Sequence, residues 1–178
     1  MGANEVVLFQ QIELSDIERE RTTAAEALID NLPEADVITS ARDQAVAENI
    51  LERLTLQAPT LFEPEEPRAF TEKVQVNDGF GGRFHADRKF AELVIPFAGD
   101  GRPFHFRPPG QHYATVLHAS LCANTVRHVI SMDHKSVEQG ATELSTFWRE
   151  LKASMEVLRS DLKATNERLR RKVTPVAQ

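Results

Sequence analysis

All six histidines of this 178-residue chain fall between positions 85 and 134 (His85, His105, His112, His118, His128 and His134), a density that invites a metal-centre reading. Strand spacing argues against it. His112 and His118 share a face of an extended strand yet stand about 20 Å apart, as do His128 and His134, and neither pair can reach one zinc ion. Only His85 and Asp87, two residues apart and on one face if extended, are near enough to share an ion. With Arg88 beside them they form the candidate set for a metal- or acid/base-dependent hydrolase.

Other catalytic patterns are incomplete. The single cysteine, Cys122, excludes an internal disulfide framework and multi-cysteine zinc sites. It lies four strand residues from His118, roughly 13 Å, and is expected to behave as a small buried thiol. No Gly-x-Ser-x-Gly elbow occurs. Gly79-Phe80-Gly81-Gly82 follows a strand pattern but lacks the Gly-Lys-Ser/Thr ending and the helix start of a phosphate-binding loop, so it reads as a hairpin loop. Glu150-Leu151-Lys152 has the spacing of a nuclease motif, but on a helix its two charged side chains point about 200° apart. No cofactor and no metal are expected.

Composition narrows the classes further. The chain is 41% hydrophobic and 27% charged, which excludes disorder. No run of 18 apolar residues and no basic–apolar leader occurs, so a cytoplasmic protein without a membrane span is expected. Charge is uneven: net −11 over residues 1–66, +1 over 67–148 and +4 over 149–178. An acidic front argues against nucleic-acid binding, which needs a basic face. The basic end is expected to offset a helix dipole and to lie near the acidic N-terminal segment.

The elements that position these residues follow from periodicity. Glu5–Leu14 alternates as a strand, and Ser15-Asp16-Ile17-Glu18 has the form of a capping box opening a helix that Pro33 stops. A second helix begins between Glu34 and Ser40 and ends near Gln57. Residues 1–58 thus form an acidic strand–helix–helix unit, 59–69 a stiff Pro/Glu connector, and 70–178 an antiparallel sheet plus a long helix, together one α+β domain with four to six strands. Phe70, Glu72, Val74 and Val76 give a mostly apolar face. Phe90–Phe97 is apolar on both faces, Gly99-Asp100-Gly101 is a turn, and Phe104–Phe106 a short strand. An Ala123-Asn124 turn makes opposed residues sum to 247, pairing Leu121 with Val126, Leu117 with Ile130, Thr115 with Met132 and Tyr113 with His134 on one apolar side.

A second capping box, Ser136-Val137-Glu138-Gln139, opens one helix running to about Lys172. Its apolar residues keep a 3.5-residue period over nearly five heptads. At 1.5 Å per residue it reaches roughly 55 Å, more than one small sheet can cover. Leu151, Met155, Leu158 and Leu162 are therefore the candidate interaction residues, for a homodimer or a partner effector domain, with tight packing ending near Leu162.

The run Val94-Ile95-Pro96-Phe97-Ala98-Gly99-Asp100, followed by Phe104-His105-Phe106-Arg107-Pro108-Pro109, precedes this hairpin and helix. Over residues 94–172 the arrangement resembles the accessory region that precedes Mrr-like restriction nuclease domains in some bacterial defence proteins. Residues 111–125 depart from it, with no proline-rich turn after the Arg-Pro strand. The resemblance implies a non-catalytic sensing or assembly module. The expected function is an interaction or regulatory module, with the hydrolase at His85, Asp87 and Arg88 as its rival.

Overall fold

Alternation and helical periodicity decide most of the elements. A computed structural model of the chain describes residues 5–31, 40–77, 79–107 and 116–173, with the backbone alone at 40–44. In chain order the elements are β1 (Glu5–Val7), β2 (Ile12–Glu13), α1 (Leu14–Asp30), α2 (Ser40–Leu54), β3 (Thr60–Leu61), β4 (Arg68–Asn77), β5 (Arg83–Ala98), a 3₁₀ turn at Arg102–His105, β6 (Phe106–Arg107), β7 (His118–Cys122), β8 (Thr125–Ser131) and α3 (Val137–Val173). The chain is α+β, as expected. It divides into two compact units interleaved in sequence: residues 1–8, 59–101 and 114–153 in one, and 9–58, 102–113 and 154–178 in the other.

The first unit holds a six-stranded sheet in the order β1-β7-β8-β5-β3, with β4 also paired to β5. Its central pairs are antiparallel. Ser120 opposes Arg127, Leu121 opposes Val126 and Cys122 opposes Thr125, the register in which sums equal 247. Ala123 has φ 40°, the left-handed conformation that this two-residue turn demands. The expected pairs at 112–115 lie outside the described residues. Leu93, Ile95, Val126 and Ile130 are buried on the face that α3 covers. The His128 ring on that face stacks on Phe147 with centroids 3.8 Å apart. Gly140 packs closely there: a Cβ would meet the end of the Met132 side chain at 2.6 Å, so a larger residue would require that thioether to move.

The second unit packs α1, α2 and the end of α3. Ala25, Ala47, Ile50, Leu169 and Val173 form a buried cluster, with Leu28, Ile29, Val46, Leu51 and Leu54 against it. Arg168 donates two hydrogen bonds to the Glu18 carboxylate, at 2.8 and 2.7 Å. The acidic first segment therefore does meet the basic end of the chain. The Arg168 guanidinium holds the Glu18 carboxyl below its ordinary range. A short parallel pair joins Ile12 to Phe106 and Glu13 to Arg107.

Several local expectations are corrected. The strand predicted over Glu5–Leu14 breaks at Phe9, which has φ 59°; Leu8 bonds to Leu117 whereas Phe9 bonds to Phe104, so the two backbone amides serve different ladders. The Ser15–Glu18 capping box does not form. Helix α1 starts at Leu14 with no side-chain cap on Glu13 as N-cap residue, and Glu18 is committed to Arg168 instead. Helix α2 ends at Leu54, short of Gln57, because the Asn166 amide takes both backbone groups of Leu56: Leu56 N–H donates to Oδ1 at 3.1 Å and Nδ2 donates to the carbonyl at 2.7 Å. Phe104–Phe106 is mainly the 3₁₀ turn. Residues 60–65 are laid along β5 rather than free of it, with Thr60 opposite Ala98 and Glu65 N–H donating to Val94.

Helix α3 forms with its expected capping box, Ser136 N–H on Gln139 and Gln139 N–H on the Ser136 hydroxyl. Its apolar stripe is not open. Leu151 and Leu158 are 0% exposed, Met155 1% and Leu162 2%. Packing also continues past Leu162, through Thr165, Leu169 and Val173. The helix is longer than one sheet can cover, but it is shared by two units, residues 137–153 belonging to one and 154–173 to the other.

Candidate interaction site

Strand β5 is sixteen residues long, and its neighbours cover different parts of it. Strand β4 pairs with it from Arg68↔Glu92 out to Asn77↔Arg83. Strand β8 pairs only from Phe90↔Ser131 to Pro96↔Thr125. Beyond Phe90 the β4–β5 hairpin is thus a two-stranded arm, closed by the Gly79-Phe80-Gly81-Gly82 loop. Gly79 and Gly81 adopt φ 81° and 91°, conformations open to glycine. The hairpin-loop reading of that segment holds, since a strand and not a helix follows it.

The two faces of the arm differ. One carries Phe70, Val74, Val76, Phe84 and Ala86, interrupted by the facing pair Glu72 and Arg88. The rings of Phe70 and Phe90 stack at 5.5 Å at its base. Phe84 is 48% exposed, and Phe80 at the tip 99%. The other face carries Thr71, Lys73, Gln75 and Asn77 against Lys89, Asp87, His85 and Arg83. Scattered exposed apolar residues are ordinary, but Phe84 and Phe80, exposed at the outer end of an apolar row whose Val74, Val76 and Ala86 are half-buried, mark a contact surface.

At the base of the arm lies an open concavity of about 810 Å³, lined by residues including Asp87, Arg88, Lys89, Asp133, His134 and Lys135. Arg88 donates to Asp133 at 2.7 Å, and the Lys89 backbone N–H donates to the same carboxylate at 3.3 Å. Burial would raise the Asp133 carboxyl; these two hydrogen bonds outweigh it and hold the group below its ordinary range. Lys135 is paired with Glu143 at 2.5 Å.

His85 and Asp87 share the polar face of the arm, roughly 7 Å apart along the strand, and oppose Gln75 and Lys73. Asp87 lines the concavity and His85 does not. Arg88 points to the other face and is engaged by Asp133. The three are neighbours in sequence but do not converge on one point. Among the described residues, no group of three or more His, Cys, Asp or Glu could hold a metal ion. Leu151, Met155, Leu158 and Leu162 are interior, which removes them as a contact surface. Cys122 is exposed at the end of β7, not buried as expected, because the tight turn beginning at Ala123 puts it on the sheet rim.

The sequence reading missed Arg83, Phe84 and Phe80 as contact residues. The signal was present: with Asn77 opposite Arg83, the apolar residues Val74 and Val76 meet Ala86 and Phe84. No described helix is long and apolar enough to cross a membrane. Comparison with protein-family models, curated proteins and solved structures finds no match. Geometry alone carries the functional reading.

Proposed function

We propose that this chain is a non-catalytic interaction module that contacts its partner through the β4–β5 arm, working in the cytoplasm as the sensing or assembly part of a bacterial defence effector. One observation carries the contact surface: past Phe90, β5 keeps a partner strand on one edge only among the described residues, while Phe84 and Phe80 beside that edge are exposed. An exposed edge next to apolar side chains is the structural basis of strand addition, in which main-chain hydrogen bonds supply affinity and alternate side chains supply specificity. The resemblance of residues 94–172 to the accessory region of Mrr-like nucleases supports the biological setting, and a lone cysteine suits a reducing compartment.

The test presents one preparation with generic ester, phosphate and amide substrates, with and without divalent cations, and with a displayed library of extended peptides. The expected outcome is no turnover, together with selected peptides whose binding falls at least roughly tenfold in Phe84→Ser. Turnover that disappears in Asp87→Asn would instead establish the hydrolase.

A further inference from the structure

We propose that two copies of this chain join edge to edge through β5, residues 83–87 of one copy running antiparallel to residues 83–87 of the other. The inference rests on the arm being the contact surface and names its occupant.

Backbone direction identifies the groups that are offered. The Lys89 carbonyl accepts from Met132 N–H and the Lys89 N–H donates to Asp133, so both backbone groups of Lys89 face the β8 side. Backbone groups alternate along a strand. Those of Asp87, His85 and Arg83 therefore face the same side, where the described β8 ladder has ended at Phe90. Phe84, Ala86 and Arg88 turn theirs toward β4. The Asp133 carboxylate caps the last β8-side amide and leaves the three outer positions to another strand.

Charge chooses the occupant and the register. A two-fold antiparallel pair must set edge-facing residues opposite one another. Centring on Ala86 would place Arg83 against Lys89, whose N–H is already taken. Centring on Phe84 would place Arg83 against His85 and leave Asp87 beyond the strand, opposite Gly81. Centring on His85 sets Arg83 of each copy opposite Asp87 of the other, giving two ion pairs. It also sets the exposed Phe84 of each copy opposite Ala86 of the other, so the apolar faces of the two arms become continuous. The segment is self-complementary in both respects. About six backbone hydrogen bonds would close it, a small and reversible interface.

Charge reversal tests the register in the full chain. In sedimentation from about 1 μM to about 1 mM, the mass should rise from 20.0 kDa toward twice that value. Arg83→Asp and Asp87→Arg should each weaken association at least roughly tenfold, since each turns two cross-strand attractions into repulsions. An equimolar mixture of the two variants should associate again, because every 83–87 pair is then Asp against Arg. This recovery also shows that both variants are folded. A mass of 20.0 kDa at every concentration overturns the proposal, and if selected peptides still bind the arm, the module reading stands without it. Association that either single variant leaves intact, or that the mixture does not recover, overturns it as well.

Discussion

His128 shows how one residue ties a titration to packing. Its ring lies flat on Phe147 and its Nδ1 is 2.8 Å from the His118 carbonyl, which assigns the proton of the neutral ring to Nδ1. Burial pushes its pKa below the ordinary value, and the hydrogen bond to His118 offsets that only in part. The unfolded chain then binds a proton more readily than the folded one. Stability is fully present above about pH 6.5 and is lost as pH falls below it toward the lowered folded value. Melting temperatures from pH 7.5 to 5, both in the order of the histidine range, should fall for the native chain. His128→Phe keeps the stack and removes the titration, so its melting temperature should fall less. Equal slopes would assign the acid sensitivity to other groups.

At the scale of elements, Asn166 is the clearest anchor. Its amide binds both backbone groups of Leu56, 110 residues away in sequence, and fixes the exit from α2 against α3. Asn166→Ala leaves a part-buried donor and acceptor without this partner and should cost about 1–3 kcal/mol, read as a lower denaturation midpoint with an unchanged m-value. What was legible at this scale was local. The Ala123-Asn124 register followed from strand alternation, and the ends of α3 from the Ser136–Gln139 box and the apolar period. The exit of α2 was not legible, because nothing near Leu56 announces an asparagine more than a hundred residues away. The false capping box at Ser15–Glu18 fails for the same reason: Glu18 has a better partner in Arg168, and only the fold supplies it.

At the scale of the molecule, the stripe on α3 belongs to the core. Leu158 is fully buried, so Leu158→Ala should cost about 2–5 kcal/mol, and Leu158→Glu should unfold the chain rather than release folded monomers. Folded, monomeric Leu158→Glu protein by circular dichroism and light scattering would return the helix to the surface. Periodicity revealed that α3 must be covered, but it could not say by what. The cover includes α1 and α2 through Ala25 and Ile50, contacts that no local pattern encodes. The apolar alternation of β4 was legible in the same way, but the open edge beside it was not: residues 83–87 keep one partner strand among the described residues because the β8 pairing ends at Phe90.

The most direct test of the arm as contact surface is residue-resolved amide exchange, on the free chain and with a binding partner (a selected peptide or a concentrated second copy). The free chain should show alternation along β5, with Phe84, Ala86 and Arg88 protected by β4 and Arg83, His85 and Asp87 exchanging freely. Binding should slow those three amides and leave α3 unchanged. Protection gained along α3, with β5 unaffected, would contradict the account.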